Sequence, residues 1–411
     1  MLPPEIDHEN YPRLAIIGGG IGGVALAVAC RHRGIPFTLY ERDETFSERS
    51  QGYGLTLQQA SKAIGGLGLS FPEGGIISTR HLVHDVSGKV VGEWGVRKLP
   101  KASLARAPKR TNIHLARQAL RSALLDQLEG FEAMKWGHQL LDFQEGDDLT
   151  LRFLVKGEET FEKADLIVGA DGIRSTVRKL LIGEKATPLS YLGCLVILGI
   201  CPLESLGGLE HPLLDSATVF QTANGHERIY LMPYDADSVM WQLSFPMAEG
   251  EARALSALGK EALKEEAIRR CPWHDPIPQI LRATRASEVS GYPVYDRALL
   301  TPELLRESSR GTLIGDAAHP MSPFKGQGAN QALLDALALA RGIRMSCRPA
   351  SHWREKGLRE TFLNDFEKAM IERSSPKVKE SAEAAEFLHS DIVLREGDEP
   401  RGRSRNERPG G

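Results

Sequence analysis

The chain has 411 residues, of which 41% are hydrophobic and 26% are charged, and its formal net charge at pH 7 is −3. This composition is typical of a soluble globular protein of roughly two or three domains and excludes a mainly disordered or collagen-like chain. The small net charge gives no reason to expect nucleic acid as a partner, and the five cysteines, which have no Cys-x-x-Cys spacing, argue against a zinc site or disulfide framework and indicate a reducing compartment.

The stretch that comes nearest to a membrane segment in composition lies over residues 14–30. Its centre holds five glycines in six positions, and it is shorter than the ~20 apolar residues that cross a bilayer. We therefore predict a cytoplasmic protein without a transmembrane segment.

The first elements along the chain predict a β-α-β unit. Residues 13–17 (RLAII) are a short apolar run typical of a buried parallel strand. After the glycine-rich residues 18–23, a stretch of small residues predicts a helix that ends at Gly34, and residues 35–41 (IPFTLYE) predict a second strand. Two strands joined by a crossover helix within about thirty residues form one such unit.

The turn between this strand and helix has the spacing Gly-x-Gly-x-x-Gly, with Gly18, Gly20 and Gly23 at its glycine positions and Gly22 between them. Such glycines allow a sharp turn, close approach of backbone amides to a pyrophosphate, and tight packing of the helix on the sheet. Glu41 ends the second strand, where an acid bonds the hydroxyls of an adenosine ribose. Because an acid disfavours a 2′-phosphate there, the pattern predicts FAD or NAD in this site rather than NADP.

The remaining elements continue an α/β framework with one interruption. The framework elements are an amphipathic helix and two buried strands, each strand ending in a Gly/Asp turn, at residues 115–129, 164–170 and 311–315. Between the last two, residues 191–245 alternate apolar strands and polar turns, and they end in a predicted β-hairpin over 228–245. Further helices are predicted at 251–270, 328–345 and 360–390, the last one broken or kinked at Pro376.

Two later motifs identify the dinucleotide. Residues 165–178 read DLIVGADGIRSTVR, and residues 312–330 read TLIGDAAHPMSPFKGQGAN. Together with the first glycine turn, they closely resemble the three signatures of the FAD-dependent aromatic hydroxylases, which are the group A flavoprotein monooxygenases with the para-hydroxybenzoate hydroxylase fold. The resemblance covers residues 13–345, and the last motif is also similar to that of the tetracycline-inactivating monooxygenases.

The resemblance implies an α/β fold with a Rossmann-like FAD-binding domain, an inserted antiparallel-sheet substrate domain and C-terminal helices. The expected division is an FAD-binding domain at 1–75, 106–185 and 301–345, a substrate domain at 76–105 and 186–300, C-terminal helices at 346–393, and a disordered tail at 394–411.

The flavin is expected to lie against all three motifs. Asp316 follows a predicted strand, at the sheet edge where ligands bind, so its carboxylate can accept hydrogen bonds from ribityl hydroxyls. The loop after it can direct amides and a helix N-terminus at the flavin, where the dipole favours negative charge. By the resemblance, the FAD contacts beyond the first turn are Arg42, Arg117, Asp171, Gly315, Asp316, Gly326, Gly328, Ala329 and Asn330. For Arg42, Arg117 and Arg178, a plain surface position is the alternative, and His319 is expected to be structural.

In this fold an antiparallel sheet covers the flavin ring, so one face of the predicted hairpin lines the substrate pocket. The candidate lining residues are Gln221, Met232, Tyr234 and Trp241, with Pro323 and Phe324 from the flavin side. Aromatic and apolar walls suit a flat hydrophobic substrate with few polar anchors. For each of these residues, core packing is the alternative.

The chain has a single Gly-x-Gly-x-x-Gly, so we expect NADPH or NADH to dock transiently in a surface cleft. A basic stretch over residues 97–121 is either a guide for its phosphates or a solvated surface. The resemblance implies hydroxylation of a small aromatic or polyketide-like substrate with dioxygen, through a flavin C4a-hydroperoxide and without a catalytic protein residue or a metal. Two alternatives stay open: a flavin-dependent reductase or dehydrogenase of a prenyl or quinone-like lipid, and a non-enzymatic flavin redox sensor.

Overall fold

The computed structural model describes residues 4–49, 53–69, 75–98, 112–146, 148–348 and 351–400. The β-strands of this part are β1 (Leu14–Ile17), β2 (Phe37–Tyr40), β3 (Gly54–Leu57), β4 (Ile76–Ile77), β5 (Arg80–Asp85), β6 (Val90–Trp94), β7 (Ile113–Ala116), β8 (Met134–Lys135), β9 (Gln139–Glu145), β10 (Leu149–Val155), β11 (Glu158–Ala164), β12 (Leu166–Gly169), β13 (Leu189–Pro202), β14 (Thr218–Ala223), β15 (Arg228–Asp235), β16 (Ser238–Pro246), β17 (Val289–Arg297) and β18 (Gly311–Leu313). Its α-helices are α1 (Ile21–Arg31), α2 (Ser61–Gly66), α3 (Arg117–Asp126), α4 (Thr176–Ile182), α5 (Glu249–Ala257), α6 (Lys260–Arg270), α7 (Ile277–Ala283), α8 (Pro302–Leu305), α9 (Gly328–Ser346), α10 (Trp353–Lys356) and α11 (Asn364–Phe387).

The first sheet is parallel and has the strand order β18-β12-β1-β2-β8. Every residue of β1 and β12 is buried, which explains why both strands are continuous apolar runs in the sequence. Helix α1 crosses from β1 to β2 and packs against α3 and α9. The predicted β-α-β unit is confirmed, and the ends of β1, β12 and β18 that carry the three motifs lie side by side.

The second sheet has the order β17-β13-β16-β15-β14-β5-β6 and is antiparallel except for the pair β14 and β5. The predicted hairpin is formed by β15 and β16. One face of this sheet is buried against the helices α6 and α7, where Trp241, Phe220 and Phe245 belong to a second apolar core. The predicted fold class, a Rossmann-like domain with an inserted antiparallel sheet and C-terminal helices, is confirmed; the domain boundaries stay a prediction.

Two predicted helices differ from the structure. The charged stretch 251–270 forms two helices, α5 and α6, because Gly259 between them has a φ of +94°. The last helix, α11, is unbroken through Pro376 and follows a π-helical turn at Arg359–Leu363. Two three-stranded sheets, β9-β10-β11 and β3-β7-β4, were not predicted.

The end of the chain contacts the second sheet. Residues 395–400, which were predicted to belong to a disordered tail, lie along β6: the Gly397 amide donates to the Val91 carbonyl oxygen at 3.1 Å, and the Asp398 carboxylate accepts from the Glu93 amide. The exposed edge of β6 supplies these partners, which composition alone does not reveal. The rest of the predicted tail, 401–411, lies outside the described residues. Within the described residues, every helix is too short or too polar to cross a membrane.

Candidate functional site

The first glycine turn has a geometry that requires glycine. Gly18 has a φ of +108°, and a Cβ on it would lie 2.6 Å from the Ala170 carbonyl oxygen. A Cβ on Gly23 would lie 1.9 Å from the Gly18 carbonyl oxygen, so α1 can pack on the turn only without a side chain there. A Cβ on Gly20, in contrast, would meet no atom within 4 Å. The turn is therefore closed at Gly18 and Gly23 and open at Gly20.

Helix α1 begins at the open side of this turn. Gly20 is its N-cap, no side chain caps the helix, and its first turn holds no acidic residue. The first amides of α1 are thus available to an anion, and the helix dipole adds partial positive charge at this end. The open space beside Gly20 lets a dinucleotide pyrophosphate approach these amides, so the residues present fit the predicted cofactor.

Glu41 at the end of β2 already has two backbone partners. Its carboxylate accepts from the Gly19 amide at 2.7 Å and from the Asp43 amide at 3.1 Å, and only 7% of the residue is exposed. These bonds join β2 to the glycine turn. A carboxylate has further lone pairs for a ribose hydroxyl, and that contact stays a prediction. Arg42, next in sequence, lines the cavity that begins at this turn and has a largely exposed side chain.

A single cavity of about 1780 Å³ extends from the glycine turn to the second sheet. This volume exceeds the ~300–1,000 Å³ of pockets for drug-sized ligands, so it has room for an extended dinucleotide and a second molecule. The predicted cofactor residues that line it are Gly20, Gly22, Arg42, Arg117, Asp171, Gly315, Asp316, Gly326, Gly328 and Ala329. The predicted substrate residues that line it are Gln221, Met232, Pro323 and Phe324. The three motifs therefore converge on one cavity, as the sequence analysis predicts.

Asp316 lies in this cavity, directly after β18. Its carboxylate is open to the cavity, while the protein around it raises its pKa by desolvation; the nearby Arg117 and His319 act in the opposite direction. Arg117, at the start of α3, donates to the Tyr53 hydroxyl at 2.8 Å, and its guanidinium lies over the Tyr53 ring. Arg117 thus lines the cavity beside an acid and a phenol, and its alternative as a solvated surface residue is wrong.

A buried carboxylate holds the backbone of the third motif. Asp335, on α9, is completely buried, and its Oδ2 accepts from the Gly315 amide at 2.8 Å. The same oxygen is 2.7 Å from His319 Nε2, and Oδ1 pairs with Arg373 from α11. Burial alone would lower the pKa of His319, but the Asp335 carboxylate has a larger effect in the opposite direction. The pKa of His319 is therefore above its usual value. His319 therefore has the structural role that the sequence analysis expected.

A buried arginine joins the second motif to the third. Arg178, on α4, is 2% exposed and donates from Nη1 to the carbonyl oxygens of Ala317 and Ala318, at 2.8 and 2.7 Å. Its Nε donates to the Thr187 hydroxyl, and desolvation lowers its pKa to about 10. The surface alternative for Arg178 is therefore wrong. Asp171, at the start of the same motif, accepts from the amides of residues 176 and 177, which begin α4.

Asn330 does not direct its side chain at the cavity. Its Oδ1 accepts from the amides of Gln58 and Ala60, and its Nδ2 donates to the carbonyl oxygens of Thr56 and Gly326. The residue is fully buried; three of these four bonds connect α9 to the end of β3 and the residues just after it, and the fourth joins Asn330 to the loop before α9. The Asn330 side chain is thus a structural link, since its amide group is already saturated, and the position of the residue at the flavin edge stays a prediction.

Trp241 lies on the opposite face of the second sheet from the cavity. It is fully buried, and its indole Nε1 donates to the Thr284 hydroxyl beside α7. The register pairs Met232 with Met240 and Leu231 with Trp241, so Met240 shares the cavity face instead. A difference of one residue moves a side chain to the other face, and the sequence does not reveal the register.

Tyr234 is also absent from the cavity wall. It is half-buried and packs near Tyr53 and Gly54, where β3 meets the hairpin. The predicted contact of Tyr234 with the substrate is therefore not supported: its side chain packs between β3 and the hairpin of the second sheet.

The sequence analysis missed a row of hydrogen-bonded side chains along the cavity. Thr56 Oγ1 is 2.9 Å from His114 Nδ1, His114 Nε2 is 2.8 Å from Ser78 Oγ, and Ser78 Oγ is 3.1 Å from His81 Nε2. The His81 ring stacks on Trp94. These residues come from four different strands or loops, so their spacing in the sequence carries no signal. Desolvation lowers the pKa of His81 to about 4 and that of His114 to about 3.

These two histidines predict a loss of stability in mild acid. Both are neutral in the folded state, while their ordinary pKa of 6.5 lets them take up protons in the unfolded chain. The free energy of unfolding should therefore fall as the pH drops below about 6.5, by about 1.4 kcal/mol per pH unit for each histidine, until the pH reaches the folded pKa values. Urea unfolding at pH 7, 6, 5 and 4 measures this slope. His114→Gln should have a shallower slope than the wild type; an equal slope would contradict the assignment.

Three residues of the predicted basic stretch, where it is described, have partners within the protein. Arg97 pairs with Asp215 at 2.5 Å, Lys98 pairs with Asp398, and Arg121 Nε donates to the Gly19 carbonyl oxygen at 2.7 Å beneath the glycine turn. Residues 99–111 lie outside the described residues. The stretch is therefore partly structural.

Comparison with known proteins agrees with this geometry. The family model described as "FAD binding domain" matches residues 12–355. The chain is 29% identical over 362 residues to the aurachin C monooxygenase/isomerase of Stigmatella aurantiaca, which covers 85% of this chain and 86% of that protein. It is 24% identical over 400 residues to the 6-hydroxynicotinate 3-monooxygenase of Pseudomonas fluorescens, covering 95% and 94%. Among solved structures, Klebsiella pneumoniae HpxO complexed with FAD and uric acid has a TM-score of 0.74 at 21% identity, covering 93% of this chain and 90% of that one.

Proposed function

Since this chain belongs to the FAD-binding domain family and is a group A flavoprotein monooxygenase, we propose that it uses NADH or NADPH and dioxygen to hydroxylate a small, flat aromatic or polyketide-like substrate. The observation that carries this proposal is the single cavity, which joins the pyrophosphate-binding turn at Gly20 to the wall formed by β14, β15 and β16. A cofactor at one end and a substrate at the other can react there without leaving the protein.

The chain's own residues bind and orient the reactants. When bound, FAD would supply the redox chemistry, in which one oxygen atom of O₂ is inserted into the substrate and the other is reduced to water with two electrons from the nicotinamide and two protons. The first amides of α1 bind the pyrophosphate, and Asp316 accepts hydrogen bonds from ribityl hydroxyls. Helix α9 begins at Gly328 without a side-chain cap, so its dipole stabilises negative charge at the flavin edge.

The relatives support the aromatic substrate class. 6-Hydroxynicotinate, after which the Pseudomonas fluorescens relative is named, and uric acid, which is bound in the HpxO structure, are flat heteroaromatic molecules. The cavity wall in this chain has matching groups: Tyr230, Met232, Met240 and Phe324 supply flat or apolar surface, and Gln221 supplies a polar contact.

The test measures flavin content, electron flow and oxygen insertion in that order. The purified protein should show the visible spectrum of bound FAD and should oxidise NADH or NADPH faster when phenols, hydroxypyridines, purines or quinolones are offered. With ¹⁸O₂, the product should carry one labelled oxygen atom. Reduced product without label would favour a reductase of a quinone-like substrate, and a flavin that neither nicotinamide reduces would favour a redox sensor; either result would refute the proposed hydroxylation with NADH or NADPH.

A further inference from the structure

Two methionine side chains lie next to each other in the wall of the cavity. Met232 on β15 and Met240 on β16 are directly paired in the register of the hairpin, and both line the cavity. They belong to one small apolar cluster, in which 2% of Met232 and 3% of Met240 is exposed. The two thioethers are therefore wall groups of the cavity that have little contact with bulk solvent.

Both side chains contact Gly54, the first residue of β3. The Gly54 amide donates to the Met240 Sδ at 3.0 Å, and a Cβ on Gly54 would lie 2.5 Å from the Met232 Cε. The lack of a side chain at Gly54 thus leaves room for the two thioethers. The hydrogen bond holds the Met240 sulfur in place and uses one of its lone pairs, so the other lone pair remains able to react with an electrophile.

The strand that contacts Met240 also contacts Arg117. Tyr53 precedes Gly54; its hydroxyl accepts from the Arg117 side chain at 2.8 Å, and its carbonyl oxygen accepts from the Arg117 amide at 3.2 Å. Arg117 is close enough to Asp316 for the carboxylate to raise its pKa. A change at the Met240 sulfur can therefore be transmitted through β3 to residues that we propose to hold the flavin.

The chemistry proposed for this cavity also supplies an oxidant for a thioether. Dioxygen that takes two electrons from a reduced flavin and two protons, with no substrate present, becomes hydrogen peroxide. We propose that this peroxide oxidises Met240 to methionine sulfoxide, so that the enzyme inactivates itself when substrate is absent. The inference rests on the function proposed above only for the nicotinamide as the source of the electrons.

The step at Met240 is balanced without any further reactant. The sulfur donates an electron pair to one oxygen of the peroxide, an S–O bond forms and the O–O bond breaks. The proton of the attacked oxygen moves to the other oxygen, which leaves as water. The sulfur is oxidised by two electrons, and the peroxide is reduced by the same two.

Oxidation would disturb the place where β3 meets the hairpin. A sulfoxide is polar and carries an extra oxygen, while the Met240 sulfur already contacts the Gly54 amide. The new oxygen either projects into the cavity, where it occupies space for the substrate, or shifts β3 and with it Tyr53. In both cases we expect the rate of NADH or NADPH oxidation to fall, and methionine sulfoxide reductases should restore it.

The test compares oxidation from inside the cavity with oxidation from bulk solvent. The FAD-loaded enzyme oxidises NADH or NADPH under ¹⁸O₂ in the dark, without substrate and with catalase in the solution, and peptide mass spectrometry measures ¹⁸O-labelled sulfoxide at each methionine. Met240 should carry at least about 5-fold more label than Met345, which is 57% exposed on α9. With peroxide added to the solution and no reductant, the order should reverse, because exposure then decides the rate.

Met240→Leu tests whether this one sulfur causes the inactivation. The change nearly conserves the volume of the side chain, and the variant should keep its own initial rate during an incubation in which the wild type loses most of its rate. Met345→Leu is the matched control and should lose its rate as the wild type does. The inference is refuted if Met240 carries no more label than Met345, if Met240→Leu is inactivated like the wild type, or if the reductases restore no activity.

A second source of electrons separates this inference from the proposed function. The flavin is reduced anaerobically with light and EDTA, so that no nicotinamide is needed, and ¹⁸O₂ is then admitted in the dark with catalase present. Label at Met240 after several such cycles would support the inference even if neither nicotinamide reduced the flavin. Absence of label at Met240 with both sources of electrons would overturn it.

Discussion

Gly23→Ala is expected to give a protein that purifies without its yellow cofactor. The new Cβ would lie 1.9 Å from the Gly18 carbonyl oxygen, a distance at which backbone atoms overlap, so α1 must move away from β1. Such a shift costs about 3 kcal/mol or more of folding free energy. It would also displace the α1 amides that we propose as the pyrophosphate-binding groups. The visible spectrum of the purified variant and its FAD affinity measure the effect; a variant with normal flavin content would contradict the packing described here.

The neighbouring glycine provides the comparison. At Gly20 a Cβ meets no protein atom and the backbone has an ordinary extended conformation, so Gly20→Ala should change the stability of the apoprotein by less than about 1 kcal/mol. The methyl group would instead occupy space that the pyrophosphate needs, so FAD affinity should fall. Thermal unfolding without FAD and titration with FAD therefore distinguish a glycine that is required for folding, Gly23, from one that is required for cofactor binding, Gly20. The two roles cannot be told apart from the sequence.

The parts of the site that were predictable from the sequence depend on local geometry. The turn at Gly18 and Gly23, the strand before it and the acid at Glu41 lie within one β-α-β unit, whose residue types follow from backbone sterics. Asp316 was predictable because a residue after a parallel strand lies at the ligand-binding edge of the sheet. These assignments needed no knowledge of distant contacts.

The parts that were not predictable depend on pairing between distant segments. Met240, and not the predicted Trp241, faces the cavity because of the register between β15 and β16. The Asn330 side chain is buried because it contacts residues 56–60, which are about 270 positions away in the sequence. In each case the residue type permits both outcomes, and tertiary packing selects one.

The three motifs are held together by buried polar groups behind the cavity. Arg178, from the second motif, donates hydrogen bonds to backbone carbonyl oxygens of the third motif. Asp335, on α9, accepts from a backbone amide of the same motif and pairs with Arg373 on α11. These hydrogen bonds order the loop before any ligand binds. The free energy of binding FAD therefore does not include the entropic cost of ordering this loop. The loop that carries Asp316 is therefore pre-organised by two residues, Arg178 and Asp335, that do not line the cavity.

Asp335→Ala should show how strongly this loop depends on that carboxylate. The change leaves the Gly315 amide and the His319 ring without their buried acceptor, and it removes the ion pair of Arg373, which is partly exposed and keeps its hydrogen bond to Gln331. Removal of one partner from a buried ion pair costs about 3–5 kcal/mol. Urea unfolding of the apoprotein should show a loss of this size, and FAD affinity should fall because Asp316 is no longer held in place.

Two controls make the result specific. Asp335→Asn keeps the shape and one acceptor oxygen but removes the charge, so its stability should lie between those of the wild type and the alanine variant. Asp126→Ala removes an exposed carboxylate at the end of α3 and should change stability by no more than about 0.5 kcal/mol. If Asp335→Ala were as stable as Asp126→Ala and bound FAD normally, the buried carboxylate would not be the group that orders the third motif. The order of this loop would then have to come from the packing of α9 alone.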